Sequence, residues 1–154
     1  MNKVLNLRET KIPLKFSGNI DTNNISISGK FLENPKFKIS IAKISKDLYQ
    51  CNGEINCNLL DKCQSCLDTI KFNHTFIIST LIKDIQDLEE DKQDVGVSHF
   101  QDLKFFYIDL LVEEEICLNY PVYLFCENEN CLPKLDDENK SSNLPFKKIR
   151  DLID

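Results

Sequence analysis

Alternating apolar and polar residues over 49–59 give the strongest structural signal in the chain. The odd-numbered positions carry Tyr, Cys, Gly, Ile, Cys and Leu, while the even-numbered positions carry only polar residues. A period of two residues is typical of a strand with one buried face. The same alternation over 70–78 predicts a second strand, and the turn-forming CQSC sequence lies between the two. We therefore expect an antiparallel hairpin with this sequence at its tip.

Shorter alternating runs at 12–16, 25–31 and 37–41 predict further strands. The polar residues 17–19 and 21–24 separate the first two runs and indicate a hairpin turn. Further along, apolar residues recur at three- and four-residue intervals from Ile108 to Ile116, which predicts a short amphipathic helix that ends before Pro121. Similar spacing over 144–153 predicts a C-terminal helix.

Two polar segments lack this periodicity. Residues 84–99 hold six acids and are expected to form a flexible loop, and residues 133–143 are expected to form another. A chain of 154 residues is the usual size of one domain. The expected fold is therefore a single α+β domain over 1–154, mainly antiparallel β-sheet, with one short amphipathic helix and a C-terminal helix.

Four of the seven cysteines form two closely spaced pairs, Cys63 with Cys66 and Cys126 with Cys131. A structural zinc ion takes four thiolates at about 2.3 Å, and both spacings fall in the range seen for such ligands. We therefore predict a zinc-ribbon-like cluster in which these four residues hold a structural zinc. Sulfur separations above about 5 Å between the pairs would exclude shared ligation.

Other interpretations of the cysteines remain open. A C-x-x-C sequence can be a redox pair, although no βαβ pattern surrounds this one. Disulfides are less expected because the count is odd and the start of the chain is charged rather than apolar. For Cys51, Cys57 and Cys117 we expect small buried side chains without a chemical role.

Charge is unevenly distributed in a chain of net charge −6. Residues 1–48 hold nine Lys or Arg against four Asp or Glu, whereas residues 49–142 hold seven against nineteen. Tight RNA binding by the whole surface is disfavoured, because nucleic-acid affinity depends on cations. The acidic half suits a basic protein partner, and Glu113, Glu114 and Glu115 on the predicted helix are the candidate contacts.

No pattern in the chain predicts catalysis. His74 and His99 stand alone on a predicted strand and in a predicted loop, and the chain lacks a nucleophile elbow and a phosphate-binding glycine loop. Consecutive glutamates on a helix do not face one another and so do not form an acid and base pair. No apolar run is long enough to span a membrane. We expect a non-enzymatic cytoplasmic protein.

Three blocks of the chain resemble the YceD family of large ribosomal RNA subunit accumulation proteins. They are the strand with Gly53 leading to CQSCL, the segment IDLLVEEEICLNYPV at 108–122 with a cysteine soon after it, and the terminal Pro145-Phe146. Relatives can carry His at the position of Cys126, which favours metal ligation there, because His and Cys are both zinc ligands. Ser65 departs from the arginine usual between the first two cysteines.

The resemblance implies a ribosome biogenesis factor that supports processing or accumulation of large-subunit (23S) rRNA. Its implied partner is a basic ribosomal protein or an RNA-processing complex, and direct RNA contact stays open. The alternative is a redox or regulatory protein that depends on its thiols or on zinc.

Overall fold

The computed structural model describes residues 4–89, 98–127 and 131. The main sheet has six strands: β2 (Leu14–Asn19), β3 (Lys30–Phe31), β4 (Lys36–Ser45), β5 (Leu48–Lys62), β6 (Thr69–Asp84) and β7 (Ser98–Gln101). Their order is β2-β4-β5-β6-β7, with β3 also paired to β5. All pairs are antiparallel except β6 with β7. A small second sheet joins β1 (Val4–Leu5) to β8 (Phe106–Tyr107).

The predicted hairpin of β5 and β6 is the centre of the fold. Its pairing runs without a register shift from Leu48 opposite Lys83 to Lys62 opposite Thr69. Residues 63–68 form the turn, so the first thiol pair lies at the hairpin tip, as predicted.

The alternation of apolar and polar residues gives the sheet one buried face and one polar face. Along β5, Tyr49, Cys51, Ile55 and Leu59 are completely buried, and the polar residues between them are exposed or half-buried. The core continues on β6 with Phe76, Ile78 and Ile82. Each large apolar side chain buried in this way contributes about 1.5–3 kcal/mol to folding. We call this the inner face of the sheet, and the opposite polar surface the outer face.

Gly53 permits a close approach of β4 to β5. It pairs with Ile39 on β4, and a Cβ atom added to it would overlap the carbonyl oxygen of Lys38 and lie 2.7 Å from Ile39 Cα. A glycine within a strand often marks such an approach, since any side chain would push the two backbones apart.

The helix α1 (Ile108–Asn119) covers the inner face, as the apolar spacing predicts. Ile108, Leu111, Val112 and Ile116 are buried in the core that the sheet forms. Asp109 lies in the first turn of the helix, where a negative charge interacts favourably with the helix dipole. Among the described residues, no helix is long and apolar enough to cross a membrane.

Two predictions about strands are wrong in detail. Within 25–31 only Lys30–Phe31 forms a strand, and residues 17–19 belong to β2 rather than to a turn. β2 pairs with β4 along its whole length, so Ser17, Gly18 and Asn19 find partners in Lys38, Phe37 and Lys36. Pairing with a neighbouring strand overrides the weak turn preference of these residues.

The predicted loop at 84–99 has regular structure at both of its ends. Asp84 ends β6, Ile85–Glu89 form a 3-10 helix, and residues 98 and 99 begin β7. The loop prediction is therefore wrong at both ends, while residues 90–97 lie outside the described residues. The predicted loop at 133–143 and the predicted C-terminal helix also lie outside them.

Candidate metal centre

The tip of the β5–β6 hairpin presents the first two thiols. Within the turn, the Cys63 N–H donates to the Asp68 carbonyl at 2.8 Å, and the Leu67 N–H donates to the Cys63 carbonyl at 2.9 Å. Leu67 has a φ of 64°, in the left-handed region that side chains rarely adopt. These features bend the chain tightly, so that Cys63 is buried and Cys66 remains exposed.

The segment that follows α1 brings the second pair to this turn. The Gln64 N–H donates to the Leu124 carbonyl at 2.9 Å, and the Gln64 side-chain amide donates to the Val122 carbonyl at 2.6 Å. At the start of the segment, the Tyr120 hydroxyl donates to Asp61 Oδ2 at 2.6 Å. These three bonds hold the segment against the hairpin tip just before Cys126.

The four sulfurs form a compact group whose atoms all lie within 4.8 Å of one another. Cys63 and Cys131 are 3.3 Å apart, and Cys66 and Cys126 are 3.8 Å apart. In a regular tetrahedron with metal–sulfur bonds of 2.3 Å, neighbouring sulfurs are about 3.8 Å apart. The structure thus brings together the four predicted ligands, and the cluster can hold a structural zinc ion.

The backbone around Cys63 favours its thiolate. The N–H of Cys66 is the strongest influence, and the N–H groups of Cys126 and Ser65 and the Cys131 thiol add to it, which together lower the pKa of Cys63 to about 6 despite the cost of burial. The Cys126 N–H lies 3.4 Å from the sulfur. Hydrogen bonds to a ligand sulfur orient it and stabilise its ionised form.

Cys66 shows how the close approach of the four sulfurs opposes their ionisation. The Asp68 N–H favours its thiolate, yet the sulfurs of Cys131, Cys63 and Cys126, together with burial, raise the pKa of Cys66 to about 12. Thiols this close cannot all ionise without a positive charge among them. A bound metal ion reverses this effect, because it deprotonates the thiols that coordinate it.

The three remaining cysteines lie elsewhere. Cys51 and Cys57 are buried in the core, and burial raises the pKa of each thiol to about 12, as suits inert packing. The prediction that Cys117 is buried is wrong. It lies exposed on α1, with its sulfur 3.9 Å from the Ser26 carbonyl oxygen.

The three glutamates proposed as partner contacts do not share one environment. Glu115 is buried, and its carboxylate accepts a 3.0 Å hydrogen bond from Asn119. Burial raises the pKa of Glu115, although hydrogen bonds from Thr80 and Asn119 oppose the shift. The prediction that Glu115 faces a partner is therefore wrong, since it lies four residues after Leu111 and shares the helix face that packs on the sheet.

Glu114 and Glu113 are both half-buried but have different partners. The Glu114 carboxylate bonds to the ring of His99, a buried residue of β7 rather than the loop residue we predicted, and the other ring nitrogen of His99 faces the Gln101 amide. Glu113 is half-buried and has no such bond to a described residue. Burial and then the carboxylates of Asp109, four residues before it on α1, and Asp21 raise the pKa of Glu113.

Sequence reasoning missed the residues that support the thiols. Asp61, Gln64 and Tyr120 position the two halves of the cluster. The only sequence signal for these roles was that the three residues lie in or next to the cysteine turn or next to Pro121.

No known protein family, no curated protein and no solved structure matches this chain.

Proposed function

We propose that this protein is a non-enzymatic ribosome biogenesis factor that supports processing or accumulation of large-subunit (23S) rRNA through a protein partner. The observation that carries the proposal is the convergence of the four thiols. The hairpin tip and the segment after α1 are two of the blocks in which the chain resembles the YceD family. Their meeting at one centre is the structural feature that we take in support of the proposal.

A binding role suits this centre better than catalysis. Four protein ligands complete the tetrahedral shell of zinc and leave no position for a substrate, whereas catalytic zinc sites keep one position open. A zinc ion with four protein ligands would fix the segment after α1 to the sheet. It would thereby fix the shape of the protein surface around the cysteine cluster.

The acids near the start of α1 are the proposed surface for the protein partner. Asp109, Glu113 and Asp21 are exposed or half-buried and close enough to affect one another. A cluster of carboxylates favours association with a positively charged surface, which is a common property of ribosomal proteins. Glu114 lies beside this cluster but already bonds to His99.

A deletion strain tests the function directly. We expect mature large-subunit rRNA to fall relative to small-subunit rRNA, and the wild-type gene to restore it. A gene with Cys63→Ser should fail to restore mature large-subunit rRNA, because one ligand of the proposed zinc ion is lost. A gene with Cys117→Ser, a cysteine outside the cluster, should restore it. Unchanged subunit ratios and precursor profiles in the deletion strain would contradict the proposal.

The partner surface needs its own test. Asp109→Lys combined with Glu113→Lys should weaken capture of a basic ribosomal protein, and Glu9→Lys combined with Glu54→Lys, with the same change in charge, should not. Three of the four replaced acids are half-buried, so circular dichroism must first establish that both variants fold. Equal capture by the two variants would remove these acids from the interface.

A second candidate function, redox regulation, is favoured by the exposure of Cys66 and by the 3.3 Å between the Cys63 and Cys131 sulfurs. Peroxide would join these two sulfurs in a disulfide and be reduced to two waters. An assembly factor should sediment with pre-ribosomal particles in a salt-sensitive manner, and a redox regulator should not. Mass spectrometry of peroxide-treated protein would detect the disulfide.

A further inference from the structure

The outer face of β2, β4 and β5 is a polar surface with an excess of positive charge. It carries Lys15 and Ser17 from β2, Lys36 and Lys38 from β4, and Asn52 and Asn56 from β5. All six are exposed. Glu54 is the single carboxylate that these three strands place on this face. These lysines belong to the basic first third of a chain whose net charge is −6.

The register brings the lysines together. Ser17 pairs with Lys38, and Lys15 pairs with Ser40 next to it along β4. Side chains two residues apart on one strand are about 7 Å from each other, and paired strands are about 4.8 Å apart. Among the described residues, none of the three lysines forms an ion pair. Lys38 has Glu54 directly opposite it on β5, whereas Lys15 and Lys36 pair only with neutral residues, so the charges of these two lysines are the most available to a ligand.

The amide of Asn56 is oriented for an acceptor outside the protein. Its side-chain oxygen accepts a 2.8 Å hydrogen bond from the Thr75 hydroxyl. This bond leaves the NH₂ group with no acceptor among the described residues. Two shallow depressions, of about 380 and 400 Å³, adjoin on this face and share Ser17 and Lys38. Asn56 lines one of them, and Asn52 lines the other.

The composition of this face suits a nucleic-acid backbone better than a protein. Protein interfaces depend on a few buried aromatic or apolar anchors. None of the six residues defined above is apolar, and the exposed Ile77, opposite Glu54 on the neighbouring strand β6, lies outside this set. Contacts to phosphate and sugar, in contrast, come from Lys, Ser and Asn side chains, which is the set found here.

We propose that the outer face of β2, β4 and β5 binds the phosphodiester backbone of RNA through Lys15, Lys36 and Lys38. The assignment to RNA rather than DNA rests on the proposed function, and Asn52 and Asn56 would bond to ribose 2′-hydroxyls. α1 covers the inner face, and Asp109 in its first turn lines a depression together with Ser17 at the edge of β2, so the acidic partner surface lies beside the RNA surface. One protein could then hold RNA and a basic protein together.

The test is fluorescence anisotropy of a labelled 20-nucleotide RNA with the purified, zinc-loaded full chain at several salt concentrations. Neutralising three phosphates of a single strand predicts that log K falls with log salt with a slope of about −2. The triple variant Lys15→Gln, Lys36→Gln, Lys38→Gln should lose most of this slope and bind at least about tenfold more weakly. A control triple variant, Lys11→Gln, Lys46→Gln, Lys104→Gln, removes three exposed lysines elsewhere and should bind as the wild type does.

Three outcomes would overturn the proposal: equal affinity of the two triple variants, equal affinity for DNA of the same sequence, or stronger binding of polyglutamate than of RNA. Circular dichroism would establish that both variants are folded. Failure of this proposal is distinguishable from failure of the proposed function. Deletion of the gene can lower large-subunit rRNA even if the protein binds no RNA in this assay.

Discussion

The hydroxyl of Tyr120 donates a 2.6 Å hydrogen bond to the carboxylate of Asp61, which joins the residue after α1 to the strand that enters the cysteine turn. Burial alone would raise the pKa of Asp61, but hydrogen bonds from Tyr120, the Lys62 N–H and Ser28 outweigh it and lower the pKa. The bond fixes where the segment after the helix begins its path along the hairpin tip.

Tyr120→Phe should weaken zinc binding without removing a ligand. The variant loses a charge-assisted hydrogen bond, and we expect a decrease of about 1–2 kcal/mol in the free energy of unfolding and a several-fold lower zinc affinity. Chelator competition measures the affinity, and Tyr123→Phe, at a highly exposed tyrosine, is the matched control. Equal affinities of the two variants would show that the bond does not position the thiols.

The purified, reduced protein should contain one zinc ion per chain. Metal analysis should find zinc in the wild type and in Cys117→Ser, and much less in Cys63→Ser. Removal of the ion with a chelator should lower the melting temperature, since binding energy at a structural site is also folding energy. A metal-free wild type with the same melting temperature as the zinc-loaded protein would contradict this prediction.

Glu115→Gln should stabilise the protein at high pH. The folded state raises the pKa of Glu115, chiefly by burial, so ionisation costs more in the folded chain than in the unfolded one. The stability associated with the protonated form is present below the unfolded pKa and is lost as the pH rises through the folded pKa.

We therefore expect Glu115→Gln to unfold at a higher temperature than the wild type at pH 8 and at a similar temperature near pH 4. Thermal unfolding at both pH values measures the difference. Glu9→Gln, at an exposed position, should show no such dependence. A gain of equal size at both pH values would attribute the effect to packing instead of ionisation.

Gly53→Ala should be strongly destabilising. The new Cβ would overlap the Lys38 carbonyl oxygen, and this is a contact with backbone that no rotamer change relieves. We expect a loss of about 2–4 kcal/mol, measured by chemical denaturation. Gly18→Ala is the control, because its Cβ would meet only the Phe37 ring at 3.4 Å. Similar losses in both variants would indicate a general effect of lost backbone freedom.

The sheet and the helix were predictable because burial of one face leaves a periodic trace in the sequence. The long hairpin and α1 match the 49–59, 70–78 and 108–116 patterns closely. The partner of β2 was not predictable in this way. Ser17, Gly18 and Asn19 suggest a turn by composition, and only the distant strand β4 makes them extended.

The sequence predicted the ligands of the candidate site but not the residues that position them. Cysteine spacing alone identified the four residues that the structure brings together. Glu115 was wrongly predicted to be a partner contact because we treated three consecutive glutamates as one exposed group. The third glutamate shares the buried helix face with Leu111. Neither Tyr120 nor Gln64 has a sequence signature, since their roles depend on two segments meeting in space.

The meeting of Cys63 with Cys131 and of Cys66 with Cys126 joins parts of the chain 68 and 60 residues apart. A shared ion at this point would act on the unfolded chain as a cross-link does, and closing a loop of this length by a covalent link reduces chain entropy by the equivalent of about 4 kcal/mol. During synthesis the first thiol pair is complete long before the second exists. Capture of an ion by all four thiols would therefore be a late event, possible only after α1 has been made and the chain has reached residue 131.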